Sequence, residues 1–437
     1  MSERTVSPTN TKPGETGGNL ISRLLTATEI DTRMFGMIGA LLLVWIVFNV
    51  LSGGLFLTPR NLWNLSVQAA AVSVMATGMV LVIVTRHIDL SVGSVVGFVG
   101  MIMATLQAEI LPQFVGFDFW GTWIITLAVG VALGAVIGGL HGYIIAFLRV
   151  PAFIVTLGGY LVWRGAAWWV TSGRTVAPLD STFQLMGGGP KGSIGALPSW
   201  IVGIVACLAI IWAIIDNRRQ RHRYNFPQRP VWAEITIGSI GCAVTLGAVA
   251  VFNAYPWPRR IAEQFAEANN IAIPPEGLFI STGIAIPVLM AIGVAVVMNF
   301  LARRTRFGRY VFAMGGNPEA ADLAGINTRW VTMKIFMLMG VLCAVSAAIA
   351  SARLNAATNA LGTLNELYVI AAAVIGGTSF AGGIGTIAGA MVGAVVMQSL
   401  QSGMVLIGIE SPLQSIVIGA VLVLAVWLDT LYRGRAE

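Results

Sequence analysis

Charge is what this chain lacks most. Asp, Glu, Lys and Arg make up 10% of its 437 residues, against roughly a quarter in soluble domains. That scarcity excludes a soluble enzyme, a disordered chain and a nucleic-acid binder. Cysteine is nearly absent too. Cys207, Cys242 and Cys343 lie in apolar runs without CxxC spacing, so neither a disulfide framework nor a zinc site is indicated. His87, His141 and His222 are too scattered to nominate a metal site. No G-x-x-x-x-G-K-[ST] occurs, so the chain has no phosphate-cradling loop of its own. The nearest approach, Gly187 to Gly192, lacks the Gly-Lys-Ser/Thr ending. Neither G-x-S-x-G nor H-E-x-x-H appears, and no carboxylate pair falls inside an apolar run. An embedded enzyme is therefore poorly supported and a conduit better supported. Uphill transport would draw on an ion gradient or on another subunit.

What the chain has is apolar length. Hydrophobic residues reach 56% and mean hydropathy is +0.81. Apolar segments fall at 35–57, 65–85, 91–111, 121–148, 153–172, 199–215, 232–254, 280–301, 331–352, 365–378, 384–408 and 412–431. At about 20 residues per span, these predict an all-α polytopic transmembrane bundle of 10–12 spans. The bundle forms one domain over 34–432, preceded by a polar tail at 1–33. The tail is broken by Pro8, Pro13, Gly14, Gly17 and Gly18 and reads as a disordered cytoplasmic extension, not a cleaved signal peptide. The segment 365–378 is short and runs into Gly376, Gly377, Gly382, Gly383 and Gly385. It reads as a broken or re-entrant helix, tolerated where protein or water covers the backbone.

The net charge of +7 is arginine gathered in alternate loops. With the N-terminus inside, Arg218, Arg219, Arg221, Arg223 and Arg229 fall in one inner loop. Arg303, Arg304, Arg306, Arg309 and Arg329 fall in the next, and Arg433 and Arg435 in the tail. Outer loops are poorer. This is the positive-inside bias, and it places both termini in the cytoplasm. Ionic residues near the spans are few: Asp89 beside Arg86 and His87, Arg164 within the fifth span, and Glu366 opening the tenth. No chain of acids suited to a proton relay is visible.

Small residues recur at helix-interface spacing. Gly130, Gly134, Gly138 and Gly142 form one stripe, and Gly385, Gly389 and Gly393 another. Close helix packing is their expected role. After each stripe a proline is followed seven residues later by glycine, Pro151 with Gly158 and Pro412 with Gly419. This is a faint internal echo of the repeats common in transporters.

The inner loop 302–330 holds a short helix in full grammar. Asn317 is suited to the N-cap, Pro318 to the first turn, Glu319 to the positive end of the dipole and Gly325 to the C-terminus. Two turns are unstable alone in water, so Pro318 to Gly325 must pack on something. A cytoplasmic partner, the membrane surface and the inner ends of the spans all remain open on these grounds.

Four stretches carry a resemblance. They are Phe307 to Ile326; Ile88-Asp89-Leu90-Ser91-Val92-Gly93-Ser94; Val150 to Gly158 with Arg164-Gly165; and Ala373 to Thr386. In order and in register, they resemble the permeases of ATP-binding-cassette importers of the ribose, xylose and galactose type. The resemblance covers about 60 to 430. It implies an importer permease fold working as a permease homodimer. ATP and Mg would bind separate ABC ATP-binding subunits, with no cofactor in this chain, and a periplasmic sugar-binding protein would deliver substrate across the bacterial inner membrane. Asn317, Pro318, Glu319, Ala320, Ala321, Asp322, Leu323 and Gly325 would form the helix that couples to the ATPase. The extra apolar pair at 199–254, absent from smaller members with about ten spans, looks most like the xylose-type permeases.

For the substrate pathway, sugars ask for hydrogen bonds and flat apolar faces. Asn64, Gln68, Gln398 and Gln401 offer the first, Trp163 and Trp168 the second, with Asp89 and Ser91 at a helix break. Interhelical bonding for the amides and an interfacial belt for the tryptophans are the competing readings. An ion-coupled carrier, a related permease for another small solute, and a membrane enzyme or scaffold remain the alternatives.

Overall fold

The computed structural model describes residues 32–275 and 277–433. Almost all of the expected 1–33 tail therefore lies outside the described residues. The helices are α1 (Thr32–Leu51), α2 (Pro59–Val84), α3 (Val92–Thr105), α4 (Thr122–Ala146), α5 (Ala152–Thr171), α6 (Ala196–Arg223), α7 (Val231–Asn253), α8 (Arg259–Ala268), α9 (Ile286–Arg304), α10 (Arg306–Gly316), α11 (Pro318–Leu323), α12 (Thr328–Leu354), α13 (Asn365–Ile375), α14 (Ile387–Leu406) and α15 (Ser411–Arg433). A π turn, Leu106–Ile110, and a short helix, Pro112–Val115, prolong α3. Among the described residues there is no named strand, only isolated bridges.

Each of the twelve apolar segments carries a helix, but they are not twelve equal spans. Among the described residues, nine are long and apolar enough to cross a membrane. α5 is long enough, yet Arg164, its glycines and its tryptophans dilute its apolar character. α13 has 11 residues, about 17 Å at 1.5 Å per residue, well short of the roughly 30 Å hydrocarbon core. Non-helical chain flanks α13 on both sides, 355–364 before it and 376–386 after it.

α2 is the centre of the bundle, with nearly every residue from Leu65 onward buried. α12, α14, α9 and α13 pack around it. α1, α6, α7 and α9 expose large apolar side chains over most of their surface. That is the inverse of a soluble protein: with lipid as solvent, apolar groups face outward and the interior is fitted by shape.

Two four-helix units, α2–α5 and α12–α15, make the same set of packings. α12 lies along α4 as α2 lies along α14; α3 packs on α5 and α12 as α13 packs on α15 and α2. α2 runs toward the arginine-rich end, where α6 and α9 finish in Arg221, Arg223, Arg303 and Arg304; α12 starts at that end and runs away from it. The units are therefore inverted relative to each other. The Pro151/Gly158 and Pro412/Gly419 echo falls on corresponding helices, α5 and α15.

Both glycine stripes are packing surfaces. A Cβ at Gly134 would overlap the Gly340 carbonyl oxygen, and one at Gly340 would overlap that of Gly134. At Gly142 it would lie 2.7 Å from Met333 Cα. On α14, Gly389 and Gly393 abut the carbonyls of Gly376 and Ala372 in the same way. Bare backbone there lets helices meet without intervening side chains.

Candidate functional site

Three places in the bundle have polar chemistry: a cavity, the buried junction beneath it, and a short helix at the arginine-rich end.

A cavity of about 520 Å³ lies among α2, α12, α13, α14 and α15, at the end away from the arginine clusters. Sites for small molecules occupy about 300–1,000 Å³. Gln68, Gln398 and Gln401 share its wall and are joined: Gln398 Nε2 donates to Gln68 Oε1 at 2.9 Å and to Gln401 Oε1 at 3.1 Å. Asn365, Tyr368 and Gln414 add uncharged hydrogen-bonding groups to the lining, and Arg353 adds a charged one. Sequence reasoning missed those four, because they belong to different helix ends that only the fold brings together. Asn64 is half-buried on α2 and is absent from the lining. Its neighbour Asn61 accepts from Ser402 Oγ instead, at 3.1 Å.

Leu361 and Gly362 floor the cavity, and under them the N-termini of α3 and α13 meet. The two approaches are mirror versions of one device. From the arginine-rich end, the non-helical segment after α2 climbs into the bundle. Arg86 donates to the carbonyls of Gly315 and Gly316 at 3.1 and 2.9 Å, and the Ile88 carbonyl accepts from Thr156 Oγ1 at 3.2 Å. From the other end, the chain after α12 descends and is clasped by Arg164. One nitrogen of that guanidinium donates to the carbonyls of Asn359 and Leu361, both at 3.0 Å. The breaks expected near Gly93 and over 376–385 are present, and 355–364 is a third that sequence reasoning missed. Gly377, Gly382 and Gly383 have φ of +83°, +88° and +75°, conformations that cost glycine nothing. Gly376 is not left-handed; it ends α13 with φ −66°. Gly93 is inside α3, where a Cβ would overlap the Glu366 carboxylate and the Gly362 carbonyl oxygen.

Asp89, Ser91 and Trp163 do not line the cavity. They form a buried chain with His141, which sequence reasoning had set aside as an isolated histidine. Trp163 Nε1 donates to His141 Nε2 at 2.9 Å. In the neutral ring the proton then sits on Nδ1, 3.3 Å from Ser91 Oγ. Ser91 Oγ in turn donates to Asp89 Oδ1 at 2.6 Å, and the Ser91 amide reaches the same oxygen at 2.9 Å. The chain ties α5 and α4 to the start of α3. Trp168, by contrast, is 55% exposed on the outside of α5, where an interfacial tryptophan belongs. The junction also holds buried polar atoms without partners: Ser94 Oγ, one Arg164 nitrogen, Asn359 Oδ1 and Glu366 Oε2. Of these, the Glu366 carboxylate is attracted by the Arg164 guanidinium.

At the arginine-rich end, α11 has the caps its sequence predicts. Asn317 Oδ1 accepts from the Ala320 amide at 3.0 Å, Pro318 occupies the first turn, and Gly325 closes the helix with φ +81°. Ala321 packs inward, while Leu323 is 90% exposed. Glu319 and Asp322 flank a cavity of about 340 Å³ shared with Thr85, His87, Met314 and Thr332. Burial lowers the His87 pKa from its usual value. Among the described residues, no three His, Cys, Asp or Glu side chains group as metal ligands.

A helical bundle with a polar cavity open at one end, broken helices meeting beneath it and an exposed short helix at the other end is the build of a transport permease. The chain belongs to the family of permease components of the branched-chain amino acid transport system type, whose model matches residues 61–426. It is 34% identical to the xylose transport system permease protein of Haemophilus influenzae over 403 residues, covering 92% of this chain and 97% of that one. It is 31% identical to the ribose import permease protein of Escherichia coli over 397 residues, covering 89% and 91%. The galactose/methyl galactoside import permease protein of Escherichia coli is 29% identical over 404 residues, covering 92% and 96%. No solved structure matches the chain. It is a multi-pass membrane permease subunit of this family.

Proposed function

We propose that the chain is the membrane subunit of an ATP-driven importer of a small sugar, a pentose of the xylose type first. The observation that carries this is the joined Gln68–Gln398–Gln401 cluster in a polar cavity whose lining holds one charged residue, Arg353. Neutral donors and acceptors suit a polyol, and the Arg353 guanidinium adds donors for its hydroxyls. The similarity to xylose and ribose permeases along nearly the whole chain points to the same substrate class.

The arginine-rich end lies in the cytoplasm by the positive-inside rule, with both termini there, in a bacterial inner membrane. The cavity then opens outward, where a periplasmic sugar-binding protein would release its cargo. The buried α3/α13 junction is the inner barrier. A second copy of the chain completes the pathway. ABC ATP-binding subunits, which hold ATP and Mg, dock on α11 and move it. Because packed interfaces switch between discrete arrangements, that movement parts the junction, and its unpartnered polar atoms find partners in the other state.

Uptake of labelled xylose into cells or proteoliposomes carrying the whole transporter tests this. Gln398→Ala with Gln401→Ala should lower uptake at least tenfold, with the complex still assembled. Glu319→Arg with Asp322→Arg should abolish ATP-driven uptake while leaving the cavity intact. Unchanged flux in the first variant removes the cavity from the pathway, and unchanged flux in the second removes α11 from coupling. Uptake that follows a proton gradient and ignores ATP would overturn the importer reading. Competition by ribose and galactose against xylose ranks the sugars.

A further inference from the structure

The hairpin of α6 and α7 stands at the edge of the bundle. Only Ser199, Gly203 and Cys207 of α6 and Ala233 and Val249 of α7 are buried, so most of the surface of both helices faces away from the bundle. α6 has 28 residues, about 42 Å, against a hydrocarbon core of about 30 Å. The surplus of about 12 Å is eight residues at 1.5 Å each. Its apolar part ends at Ile215, and the last eight residues are Asp216 to Arg223. They carry Arg218, Arg219, Arg221, His222 and Arg223 out of the core and into the headgroup layer.

The connection to α7 folds back to make a pocket of about 440 Å³ lined by Asn217, Gln220, Arg221, Tyr224, Phe226 and Pro227. It is built, not frayed. Arg221 Nη1 donates to the Pro227 carbonyl at 3.1 Å, and Arg218 pairs with Glu234 at 2.6 Å. Asp216 and Glu234 are the acids in 216–234, against Arg218, Arg219, Arg221, Arg223 and Arg229. Five positive charges less two negative leave +3. Arg219 and Arg223 are exposed, and among the described residues Arg219 has no hydrogen bond or ion pair. Tyr224 is 63%, Phe226 62% and Trp232 48% exposed, aromatic groups of the kind that settle at a membrane interface.

From this we infer that residues 216–232 form a binding site for an anionic phospholipid of the inner leaflet. The phosphate would meet Arg219 and Arg223, which are exposed on α6 outside the pocket lining, and the glycerol and upper acyl chains would lie against Tyr224, whose ring stands 5.9 Å from the Arg223 guanidinium. A cluster of arginines directly beyond a membrane helix favours anionic lipid in this way. A lipid is favoured over a protein partner because α6 and α7 are each long and apolar enough to cross a membrane, and the exposed Tyr224, Phe226 and Trp232 fall between their apolar stretches.

The test is native mass spectrometry of the purified full-length chain titrated with phosphatidylglycerol or with phosphatidylcholine. The wild-type chain should hold phosphatidylglycerol in preference. Arg219→Gln with Arg223→Gln should weaken it about thirtyfold, at about fivefold per arginine removed, and leave phosphatidylcholine unchanged. Arg219→Lys with Arg223→Lys keeps the charge and should keep the preference, which separates lost charge from lost folding. Equal retention of the two lipids by the wild-type chain, or of phosphatidylglycerol by the wild-type and glutamine variants, would overturn the inference. So would loss of ATPase co-purification in the glutamine variant with lipid retention intact, which would assign the surface to a protein.

Discussion

Gly134→Ala and Gly293→Ala make the same chemical change inside a membrane helix and should act in opposite directions. At Gly134 the new methyl would overlap the Gly340 carbonyl oxygen and stand 3.2 Å from Ala344 Cβ. Carbon and carbonyl oxygen settle no closer than about 3.3 Å. α4 and α12 must therefore separate by about 1 Å along a seam shared by Gly138 and Gly142. Overpacking of this kind costs about 1–3 kcal/mol. Replacing a helical glycine returns up to about 1 kcal/mol, so a net loss of about 1–2 kcal/mol remains. At Gly293 on α9 nothing lies within 4 Å of the added carbon. Only the propensity gain applies there, a few tenths to about 1 kcal/mol. Unfolding of the purified protein by sodium dodecyl sulfate in mixed micelles, followed by tryptophan fluorescence and circular dichroism, measures both. Gly340→Ala should match Gly134→Ala, and the double variant should cost less than the sum, since either methyl already forces the separation. A Gly134→Ala protein as stable as the wild type, or two variants shifted in the same direction, would refute the direct backbone seam.

Trp163→Phe removes the donor to His141 Nε2 and leaves a buried acceptor unpaired. It should cost about 1–3 kcal/mol, read as a lower thermal inactivation temperature, and Trp168→Phe on the exposed face should cost nothing measurable. Asn317→Ala removes the α11 cap, worth about 0.5–2 kcal/mol. It should slow ATP-driven uptake several-fold, with restoration by Asn317→Ser, whose hydroxyl can cap the same amide.

The local features were legible because local chemistry sets them. All twelve apolar runs became helices, since backbone groups in lipid must bond internally whatever the neighbours are. The caps of α11 follow from Asn317, Pro318 and Gly325 acting on their own few residues. The shortness of α13 was written in the glycines that follow it. The insertion at 199–254 appears as α6 and α7 with little shift of boundary. The site was legible only in part. Gln68, Gln398 and Gln401 could be chosen as amides inside apolar runs, but nothing in the order of residues says that they meet. Asp89, Ser91 and Trp163 have the same appearance in the sequence, and they sit beneath the cavity floor instead.

The sequence by itself determined that this is a bundle of membrane helices, where most of them begin and end, which end carries the positive charge, and that a capped two-turn helix lies there. Those properties depend on transfer of residues into lipid and on hydrogen bonds within a few positions, so they need no partner. The tertiary structure alone decided that α2–α5 and α12–α15 repeat with inverted direction, that α3 and α13 meet end to end under a polar cavity, and that His141 completes a buried chain from Trp163 to Asp89. Each depends on which helix faces which. That choice is made by the fit of bare glycine backbone against carbonyl oxygens tens or hundreds of residues away, which hydropathy cannot encode.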